Sequence, residues 1–268
     1  MNLTRKSVDM HKKHFLTLFF IILFIWSLFS VRWSSELLHS GGKDIILDVL
    51  SSLFRPDMSF ETMSLALFSS WITISYAFAG MSIAIAIAFF TGILASGVLA
   101  SKDSSLAKIL SMSFFRGLLG FMRAVHELVW AWLFVAAIGL SPYAAIFALA
   151  IPYGGTLGRI FADILNDVPK EPIYALKSSG ASNIQLLMYG YLPISAADML
   201  SYTIYRLECS VRSSTIMSFV GLGGLGYQIQ LALADLRFER VWTFMFFLII
   251  IVTLIDFWSN AIRERLSV

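Results

Sequence analysis

Charge is scarce in this sequence. Asp, Glu, Lys and Arg make up 14% of its 268 residues, against roughly 25% in soluble globular domains. The chain is also 58% hydrophobic, with 23 Phe and 7 Trp, so it needs lipid as its solvent. That excludes a soluble enzyme, a disordered chain and, despite a pI of about 9.0, a nucleic-acid reader. Cysteine is scarcer still. The single Cys209 excludes a disulfide framework and a Cys-rich metal site. His11, His14, His39 and His126 are scattered, without metal-ligand spacing. No G-x-x-x-x-G-K-[ST] motif occurs, so the chain has no loop of its own for cradling ATP phosphates. Internal repeats and low-complexity linkers are missing too.

Long apolar runs are present. Crossing about 30 Å of hydrocarbon takes about 20 apolar residues, and six runs fit. They are Phe15–Val31, Leu65–Ala100, Phe114–Ile138, Tyr143–Ile160, the unusually polar Ile194–Phe219, and Val241–Ile262. The first follows Arg5, Lys6, Lys12 and Lys13 and precedes Arg32 and Trp33 rather than a small-residue cleavage site. It reads as an uncleaved anchor rather than a signal peptide. The second is longer than one perpendicular crossing needs, so it tilts or begins at the interface. Gly139–Pro142 suits a tight hairpin between the third and fourth.

Lys and Arg set the orientation. Of the 20, twelve fall on the side that holds both termini and five on the opposite side; Arg123, Arg206 and Arg212 fall inside spans. Both termini are therefore expected in the cytoplasm. The expected organisation is all-α: a polytopic bundle of six transmembrane helices, with residues 1–64 as an anchor helix plus extracytoplasmic segment and residues 65–268 as one core.

The longest inward-facing connection, residues 163–193, is patterned. Pro169 stops what precedes it and Pro172 suits a first helical turn. Ile173–Ser179 then makes two turns, Gly180 ends them at positive φ, and Ser182 caps a second helix, Asn183–Tyr189, that leads to Leu192-Pro193. This describes either a rigid helix–Gly–helix knob on the membrane face or an ordinary solvated loop.

Charges inside spans each cost about 2.5–3.5 kcal/mol at a helix centre, so Arg123, Glu127, Asp198, Arg206, Glu208 and Arg212 should face protein or water. Arg123 and Glu127 are spaced i, i+4 and can pair on one helix face. Buried ion pairs that set helix register are one reading. The other is a cationic pathway for an oxyanion, which Arg suits through its planar two-donor fork. Arg206 and Arg212 lie about 120° apart on a helix, so one of them lines such a path; Arg206 is the choice. Gly221, Gly223, Gly224 and Gly226 satisfy G-x-G-x-x-G, but no strand precedes them and no βαβ unit surrounds them, which excludes the dinucleotide fingerprint. They form either a flexible turn or a gate at the outer mouth of a pathway, since irregular backbone at membrane depth must line a cavity or be buried in protein. The small-residue pairs Ala84–Ala88 and Gly92–Ser96 suit close helix packing, within the chain or at a dimer seam.

Several segments also carry a resemblance. Tyr174-Ala175-Leu176-Lys177-Ser178-Ser179-Gly180, with Leu192-Pro193 eleven residues on, resembles the "EAA" loop of ABC importer permeases. Ala175, Gly180, Leu192 and Pro193 match; Tyr174 stands for the Glu, Leu176 for the second Ala and Gly190 for the Ile. Arg123-Ala124-Val125-His126-Glu127-Leu128-Val129-Trp130-Ala131, Gly180-Ala181-Ser182, Tyr189–Pro193, Leu200–Arg206, Val211–Thr215 and Val220–Gly226 are similar to phosphonate-uptake permeases over about residues 65–262. The resemblance implies a type I ABC importer permease with a methionine-permease-like fold in a bacterial inner membrane. It carries phosphonate or a related phosphorus oxyanion by ATP-driven alternating access and is not itself an enzyme. The implied partners are a cytoplasmic ATPase dimer that uses the ATP and Mg, an extracytoplasmic binding protein and a second permease protomer, with no cofactor and no metal on this chain. Tyr174, Ala175, Leu176, Gly180, Ala181, Leu192 and Pro193 would then couple to the ATPase. The alternative is a proton-coupled secondary transporter of a small anion, with Glu127, Asp198 or Glu208 as relay. Such folds often carry paired half-repeats, and none is visible here. A six-helix intramembrane enzyme has only His126-Glu127 to offer as a catalytic pair.

Overall fold

The computed structural model describes residues 3–30, 42–99 and 105–266. Every element among them is helical. The chain divides between Ser51 and Ser52 into two units. In the first, α1 (Leu3–Ser30) turns apolar over His14–Ser30, and α2 (Gly42–Ser52) follows. The second holds α3 (Phe60–Ser96), α4 (Ser105–Ala124), α5 (Glu127–Ile138), α6 (Pro142–Asp167), α7 (Lys170–Ser178), α8 (Asn183–Leu186), α9 (Leu192–Met217), α10 (Leu225–Ala234) and α11 (Phe238–Leu266).

The expected six crossings are modified. Length and apolarity single out three helices, α3, α6 and α11, and a fourth if α4 and α5 count together as one crossing. Those two meet at 87°, because the helix breaks at Val125 and restarts with His126 as N-cap. Trp130 spans the corner, its indole N–H donating to the Met122 carbonyl at 3.3 Å. α9 takes the place of the fifth expected span, but Asp198, Arg206, Glu208 and Arg212 put it outside the apolar class. Val31 and Ala100, the ends of two expected spans, lie outside the described residues.

The core is built on α3 against α6. Gly80, Ala84, Ala88 and Gly92 recur every fourth residue on α3 and meet Leu149, Gly154, Gly158 and Phe161, so the two helices run parallel with their backbones close. A Cβ on Gly92 would sit 2.9 Å from the Gly158 carbonyl oxygen and 3.0 Å from Phe161 Cβ. Small residues let helices approach in lipid, where attraction comes from packing and hydrogen bonds rather than from expelled water. Ala84 and Ala88 are fully buried inside the chain. The small-residue pairs therefore serve this internal seam and are not free to form a dimer seam.

The start of α3 is tied to the start of α11. Asp57 accepts from the Thr62 hydroxyl at 2.7 Å and the Ser59 N–H at 2.9 Å, and pairs with Arg240 at 3.0 Å. Thr243 donates to the Asp57 carbonyl at 3.0 Å. These bonds place residues 52–59 with the core, so the division falls before the expected 64/65 boundary, which lies inside α3. They also hold the Asp57 carboxyl below its ordinary 3.8, at about 2, with the Thr62 hydroxyl as the largest cause, then Ser59.

Two outcomes follow. Gly92→Leu should lower the melting temperature of the purified chain by overpacking, at about 1–3 kcal/mol, while Gly117→Ala, with open space around its Cβ position, should not. A depressed carboxyl pKa contributes stability that is complete above the unfolded value and lost as pH falls through the folded one. The stability difference between wild type and Asp57→Asn should therefore be constant well above a pH of about 4 and be lost as pH falls through about 2. A difference that persists unchanged at low pH would contradict the assignment of this stability to the ionised, hydrogen-bonded carboxylate.

Candidate functional site

Four helices converge on one polar cleft. It has a volume of about 320 Å³ and is lined by Arg123 and Ala124 from the end of α4, His126 and Glu127 at the start of α5, Pro152, Tyr153 and Thr156 of α6, and Arg206 of α9. α5 spans about 18 Å from its Gly139 end at 1.5 Å per residue. The cleft thus lies at the end of α5 away from Gly139, at the corner where α4 and α5 meet.

Local rules explain how each side chain arrives. His126 has the extended backbone of an N-cap (φ −62, ψ 143) and its Nδ1 accepts from Leu128 N–H at 3.2 Å. A ring nitrogen that accepts carries no proton, so the neutral imidazole bears its hydrogen on Nε2. Glu127 sits in the first turn of α5, where a carboxylate is favoured by the helix dipole. Its Oε1 accepts from the Ser213 hydroxyl at 2.7 Å, and Ser213 lies 2.9 Å from the Tyr153 hydroxyl. Ser213 has one proton and gives it to Glu127, so Tyr153 is the donor to Ser213. The relay Tyr153 → Ser213 → Glu127 joins α6, α9 and α5. Thr156 spends its proton on the Pro152 carbonyl at 2.9 Å.

The cations are arranged differently. Among the described residues neither Arg123 nor Arg206 has a carboxylate within ion-pair distance. The Arg206 Nε is buried without a hydrogen-bond partner, and its guanidinium carbon lies 5.6 Å from the Tyr205 ring centre. The expected i, i+4 pair of Arg123 with Glu127 does not form, because the chain turns between them and Glu127 takes Ser213 instead.

The other expected residues are placed elsewhere. Glu208 is buried between α9 and α11, paired with Arg212 at 2.8 Å and Arg263 at 3.4 Å. This uses Arg263 in an ion cluster, although its sequence position puts it with the cytoplasmic charges. Asp198 lines a separate cavity with Asp167. Glu127, Asp198 and Glu208, the carboxylates that a proton relay would need, thus stand in three different places.

The patterned segment is a knob. α7 ends at Ser178, Gly180 adopts φ +85, and Ser182 and Gln185 form a reciprocal capping box on α8. Val168, Ile173, Leu176, Ala181, Leu186 and Tyr191 pack beneath it. Gly190 is buried under α7, where a Cβ would lie 2.7 Å from Ile173 Cδ1, so a larger residue there requires the Ile173 side chain to shift. The exposed face carries Tyr174, Ile184, Met188 and Tyr189. α8 does not end where a separate second helix is expected. It passes through a π turn, Leu187–Tyr191, straight into α9.

At its other end α9 passes into a second π turn, Ser218–Leu222, that stops at Gly221 with φ +88. Gly223 and Gly224 follow in positive φ, and the turn is tied to α3: Thr73 Oγ1 accepts from Leu225 N–H at 3.0 Å, and the Tyr76 hydroxyl donates to the Leu222 carbonyl at 3.0 Å. Gly226 lies against the Thr215 carbonyl, leaving no space for a Cβ. Sequence reading missed Tyr153, Ser213 and Thr156. Ser213 was within reach, since it lies seven residues from Arg206, on the same face of α9 two turns on.

Apolar helices long enough to cross a membrane, a cleft with two arginines between them, and an exposed knob continuous with a helix that lines the cleft fit a membrane transport subunit. The model of the family "binding-protein-dependent transport system inner membrane component" matches residues 92–268, and this chain belongs to that family. It is 27% identical over 263 residues to the putative phosphite transport system permease protein HtxC of Stutzerimonas stutzeri, covering 97% of this chain and 89% of that one. It is 32% identical over 150 residues to the phosphite transport system permease protein PtxC of the same organism, covering 56% of this chain. That match spans about half of PtxC, 54% of its length. Among solved structures, an inward-facing form of the MetNI methionine ABC transporter shares the fold, with a TM-score of 0.68 at 22% identity over 78% of this chain and 99% of that one.

Proposed function

We propose that this chain is the membrane-spanning subunit of an importer for phosphonate or a related phosphorus oxyanion such as phosphite or a phosphate ester. One observation carries the reading. Arg206, with a buried Nε that has no partner among the described residues, faces the cleft from the same helical run that begins at the exposed knob. Arg123 adds a second fork of donors. Guanidinium geometry fits a phosphorus oxyanion through parallel N–H···O bonds.

The knob is the site for a cytoplasmic ATPase dimer, which supplies the ATP and Mg chemistry; this chain needs no cofactor. Closure of the ATPases moves α7–α8, and the continuous helix carries that motion to Arg206, switching access across the membrane. Gly221–Gly226 forms the gate on the opposite side, where an extracytoplasmic binding protein delivers the anion. A second copy of this chain completes the pathway, and both termini lie in the cytoplasm of a bacterial cell. The names of the two phosphite permeases, the fold shared with a methionine importer and the separation of Glu127, Asp198 and Glu208 support this reading over a proton-coupled transporter.

Arg206→Glu should abolish uptake of methylphosphonate by cells that express the complete transporter, with assembly unchanged on size exclusion; normal uptake by that variant would refute the pathway. Gly180→Asp, which strains a positive-φ turn on the knob, should abolish co-purification of the ATPase while the variant still folds. Retained ATPase binding would place the contact elsewhere.

A further inference from the structure

The groups around the cleft fall into two kinds by what they can offer a ligand. Arg123 and Arg206 present only donors, and His126, with Nδ1 held by the α5 cap, adds an Nε2–H. In the other kind every proton is already committed. Thr156 gives its own to the Pro152 carbonyl, Tyr153 to Ser213, and Ser213 to Glu127 Oε1. Glu127 is acceptor-only when ionised, and among the described residues only its Oε1 takes a hydrogen bond. The fixed charges, two guanidiniums against one carboxylate, leave one net positive charge.

A ligand that satisfies both kinds of group must carry negative oxygens for the arginines and a proton for the carboxylate. A monoprotonated phosphorus oxyanion has both: its P–O⁻ groups accept from Arg123 and Arg206, and its P–O–H donates to Glu127. Its single negative charge also matches the net charge of the cleft. Sulfate carries two charges and no proton near neutral pH. It would meet the Glu127 carboxylate with lone pair against lone pair and charge against like charge, with no proton between them. We infer that Glu127 is a specificity-determining residue of the cleft, selecting oxyanions that retain an acidic P–O–H proton and rejecting those that have none. This rests on the reading of the cleft as the anion site. It goes further by naming the protonation state that passes and the residue that reads it.

The titratable and charged groups that face Glu127 are Arg123 from α4, His126 beside it, Tyr153 from α6 and Arg206 from α9, with the Cys209 thiol close to Tyr153. A phosphate ester loses its second proton near about pH 6, so its monoprotonated fraction changes across the physiological range while sulfate does not titrate there. The pH dependence of binding therefore follows the ligand.

The test is phosphorus NMR line broadening of methylphosphonate by the full chain in lipid nanodiscs, with sulfate as competitor, at pH values below and above the second ionisation of the phosphonate. For wild type we expect broadening that weakens as pH rises through that ionisation, and sulfate at least about tenfold poorer than methylphosphonate as a competitor, the scale of one lost hydrogen bond to a charged group. Glu127→Gln, whose amide offers donor and acceptor alike, should bring sulfate to within about twofold and flatten the pH dependence. Glu127→Asp, which keeps the carboxylate, should restore discrimination. Equal competition by sulfate in wild type, or unchanged selectivity in Glu127→Gln, overturns the inference while leaving the anion site standing. Broadening that survives Arg206→Gln, or none in wild type, overturns the anion site and this inference with it.

Discussion

Everything in the core hangs on how closely two backbones approach. Along α3 and α6 a four-residue repeat of Gly and Ala removes the side chains that would hold the helices apart. In lipid, close packing is a main source of helix attraction, so this seam is a fixed platform. Pro152 and Tyr153 sit on it, which places the Tyr153 hydroxyl where Ser213 can receive its proton. The relay to Glu127 then fixes the start of α5, and α5 fixes the corner at which α4 turns. The cleft is therefore a product of backbone spacing several residues away. Enlarging one glycine in the seam would displace the relay before it touched an arginine.

Polar groups on the two faces of α9 lead separate lives. One face carries Arg206 and Ser213 toward the cleft. The other carries Glu208 and Arg212 toward α11, where a single carboxylate answers two guanidiniums. Burying a charge is tolerated when a partner meets it, and Glu208 meets that condition. Arg206 does not: its Nε is buried without a hydrogen-bond partner, and the Tyr205 ring lies against its guanidinium. The same helix thus holds a closed electrostatic account on one side and an open one on the other.

Much of this was legible in the sequence, for physical reasons. Gly180, Ser182 and the prolines mark the knob because turn and cap residues act locally, and the structure has Gly180 at positive φ and Ser182 in a capping box. Scarcity of charge made lipid the solvent. Spacing also placed Arg206 and Arg212 on different faces, a matter of helix geometry alone. What periodicity could not show was where a helix breaks. His126-Glu127 reads as mid-span apolar context, yet a histidine able to accept an N–H starts a new helix there and undoes the Arg123–Glu127 pairing. Nor could it show that Gly190 lies beneath Ile173 and Leu176, whose side-chain ends a larger residue would have to displace, since that is set by residues seventeen and fourteen positions away. The continuity of α8 with α9 was hidden because Leu192-Pro193 reads as a break; Pro193 instead opens α9 from within its first turn, where its missing N–H leaves nothing unsatisfied.

The two π turns that bracket α9 have a mechanical consequence. A π turn holds an extra residue in its circuit, and its wider hydrogen bonds are poorer than those of the α-helix on either side. Such a turn yields in torsion more readily than in length. With one at Leu187–Tyr191 and another at Ser218–Leu222, α9 is a stiff axle between two soft bearings. Turns that yield in this way let α9 rotate about its own axis relative to the knob and to the glycine turn, and a rotation of one residue's arc, about 100°, would change which of its side chains faces the cleft.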